Sequence, residues 1–143
     1  VSERTARTGR RDARRVALVL LYQHAVTPER GLPELYERYR TDTRVDVPPY
    51  AVTLVEGVLA DAEHLDGLIA THAHGWEVER IAPIERAALR IAVYELTREG
   101  SDVPVSVAID EAVRLSKRYA SPEAAVFING ILGAVARALG VGR

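Results

Sequence analysis

Residues 124–139, AAVFINGILGAVARAL, are apolar almost all the way round a helical wheel. A helix with no polar face belongs in the middle of a bundle, enclosed by other elements. That one segment therefore dictates what the rest of the chain must supply. Its start is clearly marked. Ser121-Pro122-Glu123 offers a capping hydroxyl, a proline at the first helical position and a carboxylate beside the positive end of the helix dipole.

The enclosing segments are helical too. Val16, Leu20 and His24, with Ala13 and Ala17, follow i, i+3, i+4, i+7 spacing and predict an amphipathic helix over about 8–26, which Thr27-Pro28 ends. A short helix at 32–40 carries Leu35, Tyr36 and Tyr39. Asp46-Val-Pro-Pro opens a long stripe through Val52, Val55, Leu59, Ala62, Leu65 and Ile69. His74-Gly75-Trp76 breaks the pattern and Pro83 restarts it, so a hinge is expected between them. Ile84, Ala88, Ile91 and Leu96 mark the next helix, ending near Gly100. Asp102-Val-Pro104 starts another, with Ala108, Ile109, Ala112, Val113, Ser116 and Tyr119 inward. No strand pattern of useful length occurs. The fold class is all-α.

A chain of 143 residues suits one domain. The reading is a flexible basic arm at 1–9 and a single domain over 10–143, with subdomains at about 10–74 and 80–143. One Phe and one Trp leave the interior to Ala, Val, Leu and Ile. The absence of cysteine excludes disulfides, thiolate zinc sites and cysteine nucleophiles. No apolar run approaches the roughly 20 residues of a membrane span, and the N-terminus lacks the apolar core of a signal peptide. A cytoplasmic protein with no membrane contact is expected.

Catalytic readings find little support. Asp61-x-x-His64 has the spacing of a carboxylate–histidine metal pair, but a bundle metal site needs a matching pair elsewhere. A solvated helical face accounts for it better. His72 and His74, two apart, point to different helical faces. No G-x-S-x-G, H-E-x-x-H or Walker-type loop occurs. Gly130-x-x-Gly133 reads as a device for close helix packing. The expectation is no enzyme, no cofactor and no metal.

Charge is informative. Arg4, Arg7, Arg10, Arg11, Arg14 and Arg15 face only Glu3 and Asp12 in the first fifteen positions, while the whole chain carries a net −1. A basic end on an acidic body points to a local contact with a polyanion. On a helix, Arg7, Arg10, Arg11, Arg14 and Arg15 share one arc opposite Ala13, Val16 and Leu20, and Tyr22 falls on the arginine side. Guanidinium groups fork onto phosphate and stack on bases, and a neighbouring aromatic is what single-stranded nucleic acid uses.

The motifs then become specific. R-R-x-A-R at 10–14 followed by A-L-x-x-L-Y-Q at 17–23 resembles the first helix of the NusB family of bacterial transcription antitermination factors. The similarity continues in G-V at 57–58 with L-D at 65–66, E-R-A-A-L-R-I-A-V-Y-E-L at 85–96, V-P-x-x-V-A-I-D-E-A-V-x-L at 103–115 and F-I-N-G-I-L at 127–132. It runs in the family's order from residue 10 onward.

The resemblance implies a compact bundle of about seven helices in two subdomains. It implies binding to the single-stranded boxA sequence of ribosomal RNA leader transcripts together with NusE, a small-subunit ribosomal protein. The pair then joins RNA polymerase with other Nus factors and suppresses premature termination. The family's RNA contacts map to Arg10, Arg11 and Arg14, with Arg15 on the same arc, to Tyr22, and to Glu123 and Phe127. NusE docking maps to Glu85 and Arg90. Two departures stand out: Glu123-Ala124-Ala125-Val126 replaces an Asp-Ser-x-Lys-type run, and Asp110 stands where Asn is usual. The alternative reading is a homodimer or helical interaction module in which the arginine face is occluded.

Overall fold

The computed structural model describes the backbone of residues 3–141 and the side chains of residues 9–141. Seven α-helices follow one another: α1 (Glu3–Val26), α2 (Leu32–Thr43), α3 (Pro49–Ala60), α4 (Ala62–His72), α5 (Pro83–Thr97), α6 (Val105–Tyr119) and α7 (Pro122–Leu139). A 3-10 turn at Val78–Arg80 separates α4 from α5, and no strand occurs among the described residues. Helix α1 begins earlier than the periodicity suggests, inside the stretch read as a flexible arm. Residues 1 and 2, and the side chains of 3–8 including Arg4 and Arg7, lie outside the described residues.

The chain forms two compact units, residues 1–56 and 57–143, so the division falls within α3 and not at 74–83. The segment expected as a hinge is internal to the second unit, where α4 packs on α5, α7 and the 3-10 turn through buried Leu65 and Ile69. The long stripe beginning at Val52 also resolves differently, into two helices that meet at Asp61. The hydrogen-bond ladder bends there without ending. The Asp61 N–H donates to the Gly57 carbonyl (3.1 Å), and the Asp61 carbonyl accepts from the Leu65 N–H (3.0 Å). In α3 the buried positions are Ala51, Leu54, Val55 and Val58, while Val52 and Leu59 are only half-buried.

In the first unit, α1 buries Ala13, Val16, Ala17, Leu18, Leu20 and Leu21, and α2 packs on it and buries Leu35. The Tyr36 hydroxyl of α2 donates to Glu56 of α3 at 3.2 Å. In the second unit, α7 packs on α4, α5 and α6, burying Ala124, Ala125, Ile128, Ile131, Leu132, Val135 and Ala136. The Ser121 Oγ accepts the Ala124 N–H at 3.0 Å, the N-cap its sequence announces. By length and composition α7 would suffice to cross a membrane, which the sequence reading did not anticipate. It packs against three helices with one face only. Seven of its eighteen residues are buried, while Val126, 74% exposed, Asn129 and Gly130 face outward. It is not enclosed all round as its composition suggests, because its large side chains Ile128, Ile131, Leu132 and Val135 fall on a single side.

Close backbone approach occurs away from the glycines expected to provide it. A Cβ at Gly130 would meet nothing, and one at Gly133 would meet only the flexible Arg137 guanidinium. At Gly57, by contrast, a Cβ would enter the Tyr94 ring, so any side chain there displaces α5's tyrosine. Arg90 of α5 forks onto Asp66 of α4, Nε to Oδ1 at 2.7 Å and Nη2 to Oδ2 at 2.6 Å.

Candidate nucleic-acid interface

The arginine-rich face of α1 separates into layers. Arg11 is exposed, and Arg10 and Arg15 are half-buried. Arg15 is held by Asp12 one turn earlier, with Nη2 to Oδ1 at 2.8 Å. Arg14 departs from the expectation of a single solvated arc, being only 3% exposed. The reason lies four and seven positions further on. Leu18 and Leu21 sit on the same side of the helix as Arg14, and both are buried. They widen the apolar arc until it takes in the stem of Arg14, as long cationic side chains allow.

What receives these guanidinium groups is Tyr50, near the start of α3. The Arg10 Cζ lies 4.7 Å from the centroid of its ring, and the Arg14 Cζ 5.8 Å. Both are within cation–π range. Tyr22, 37% exposed, lies further along α1 with its ring open to stacking. The outward cations with this aromatic make the surface suited to a phosphate backbone and an unstacked base.

A second candidate surface is an open cleft of about 460 Å³ in the 57–143 unit. Glu85 of α5 lines it with Glu123 and Phe127, one turn apart on α7, together with Trp76 and Arg80. The Trp76 ring meets Phe127 edge-on, with centroids 6.0 Å apart and planes at 63°. Trp76 remains 53% exposed, so its other surface is available to a partner. The cleft thus combines aromatic faces with a guanidinium and two carboxylates. Such a set can stack a planar group and satisfy polar edges around it.

Sequence reasoning missed three residues. Trp76 and Arg80 fall in and just after the break that reads as a hinge, although a lone tryptophan in a loop is itself a signal. Tyr50 was hidden by the Pro-Pro start of α3. The structure does not bring Arg90 into the cleft's lining. Its guanidinium is engaged by Asp66, and its side chain is only 20% exposed. The Asp61–His64 pair is formed at 3.1 Å on the surface. Among the described residues no group of three histidine or acidic side chains is placed to hold a metal ion.

Comparison with known proteins gives these surfaces a context. The profile of the NusB family matches residues 11–137. The transcription antitermination protein NusB of Saccharopolyspora erythraea is 40% identical over 127 residues, covering 89% of this chain and 86% of that protein. A crystal structure of the antitermination factors NusB and NusE in complex with dsRNA contains a chain similar to this one. The two superpose with a TM-score of 0.80 at 28% identity, over 92% of this chain and 98% of that one. T. maritima NusB gives a TM-score of 0.79 at 32% identity, over 90% of each chain.

Proposed function

The chain belongs to the NusB family of transcription antitermination proteins, and on that premise we propose that it binds the boxA sequence of nascent ribosomal RNA leaders jointly with NusE. In this reading it carries out no reaction. It works in the cytoplasm as part of the antitermination complex that RNA polymerase forms with the other Nus factors.

The observation that carries the reading is the α1 face, where the exposed Arg11 and the half-buried Arg10 and Arg15 share a helix with the open ring of Tyr22. Arg10 and Arg11 engage phosphates, Arg15 flanks them paired with Asp12, Tyr22 stacks a base, and Arg14 supports them from beneath. Glu123 and Phe127 in the cleft add RNA contacts, and Glu85 docks NusE. The similar chain crystallised with NusE and dsRNA supports the pairing of NusE with an RNA ligand. The run Glu123-Ala124-Ala125-Val126 carries no basic residue, so RNA affinity rests more heavily on α1.

One helix face and few aromatics cannot supply much affinity by themselves. Anisotropy titration of a labelled boxA oligonucleotide, with and without NusE, tests the proposal. Weak binding that NusE tightens is expected, with a scrambled oligonucleotide gaining nothing. Equal affinity with and without NusE would contradict joint binding. Light scattering of the same samples separates a second possibility, because a stable dimer that excludes RNA would mean the arginine face is self-occluded.

A further inference from the structure

We propose that Tyr50 is a positioning residue for the arginine face. It orders Arg10 and seats Arg14 so that α1 meets RNA with its cations already arranged. The inference rests on the RNA-binding reading of α1, and it deepens that reading by adding a residue on a different helix.

The argument begins with the cost of ordering an arginine. A free arginine side chain samples many rotamers, and freezing it against a phosphate takes back part of the contact's benefit. A protein can freeze it beforehand in two ways. A carboxylate partner holds the guanidinium but cancels its charge and competes with phosphate for the same N–H donors, as Asp12 does for Arg15. An aromatic face holds the guanidinium through its quadrupole and leaves the net positive charge intact. Tyr50 provides the second kind of tether to two arginines one helical turn apart, at 4.7 Å and 5.8 Å.

The ring is itself well anchored. Tyr50 follows Pro48-Pro49, whose fixed backbone angles define the entry to α3. Val47 before them is buried, and the Val52 N–H donates to the Pro48 carbonyl at 3.2 Å. Tyr50 is half-buried, so packing restrains it from below. Arg14 lies deepest and Arg10 nearer the surface, and both rest on the same ring.

The test uses the full chain and a single-stranded boxA oligonucleotide. Tyr50→Leu keeps apolar bulk and removes the π face, and it should weaken binding about three- to tenfold, the effect of ordering one long side chain on binding. Tyr50→Phe keeps the face and should bind within about twofold of the parent chain. In an Arg10→Ala background Tyr50→Leu should change affinity by less than about twofold. An equal loss with and without Arg10 would overturn the proposal, since Tyr50 would then act on RNA directly or on stability alone. A second readout needs neither RNA nor a variant. In the free protein the Arg10 side-chain Nε–H should be ring-current shifted and ordered on the NMR timescale. A mobile Arg10 without a ring-current shift would overturn the proposal even if RNA binds. An ordered Arg10 in a protein that fails to bind boxA would instead refute the function and leave the stack in place.

Discussion

At Tyr36 the phenol donates to the Glu56 carboxylate, and burial together with that negative neighbour pushes its pKa up to about 12. An unfolded tyrosine titrates near pH ~10. The folded chain therefore keeps a proton that the unfolded chain releases, so this contribution is complete below about pH 10 and is lost as pH rises toward about 12. Tyr36→Phe should flatten the alkaline loss of stability measured by urea unfolding across that window, and absorbance titration should lose a phenolate step at about pH 12. Parallel alkaline losses in the two proteins would refute it. Arg14 shows what one residue's environment hides from the sequence. Its position on the wheel matches the other arginines, and only the burial of Leu18 and Leu21 beside it reveals that the apolar arc extends that far. Hydrophobic periodicity gives the centre of a buried face far better than its edges. An arginine at an edge can go either way, because its stem is apolar and its head is not.

Between elements, the Asp66–Arg90 fork is the polar link that joins α4 to α5. A bidentate, charge-assisted pair at the margin of a core contributes more than an exposed surface pair. Asp66→Asn should lower stability by about 1–2 kcal/mol in denaturant unfolding. Arg90→Ala should do the same and weaken NusE binding only through that loss. An Arg90→Ala protein of unchanged stability that no longer binds NusE would restore a direct docking role. Element starts were legible because they depend on local chemistry. The Pro-Pro pair opens α3, and Ser121 caps α7 as its hydroxyl and spacing predict. The bend at Asp61 was not legible, because the apolar stripe continues across it from Val58 to Leu65 and Ile69. The division inside α3 was equally hidden. It follows from α4 packing on α5 and α7, contacts between residues distant in sequence that no local pattern encodes. For the same reason Glu85, Glu123 and Phe127 could be matched to a family pattern one by one, yet their meeting with Trp76 in one cleft appears only in the folded unit.

Across the whole molecule, the distribution of charge governs how RNA binding responds to salt. A net charge of −1 with arginines crowded at one end limits nonspecific attraction and confines polyanion contact to a few groups. Each phosphate contact on a single strand contributes roughly −0.7 to the slope of log K against log salt. With Arg10 and Arg11 as the phosphate contacts and Arg15 neutralised by Asp12, the slope for boxA should be about −1.4. Arg11→Ala should flatten it by about 0.7 and weaken cognate and scrambled RNA alike, since phosphates carry no sequence. Tyr22→Ala should lose affinity at an unchanged slope, because stacking, worth about 1–3 kcal/mol per base, depends little on salt. Arg14→Ala is the decisive variant. It is the same substitution on the same face, yet this side chain is buried over Tyr50 and counts as structure. It should lower the melting temperature and leave the slope at about −1.4. A loss of slope equal to that of Arg11→Ala, with melting unchanged, would place Arg14 among the phosphate contacts and return the whole arc to a single solvated layer.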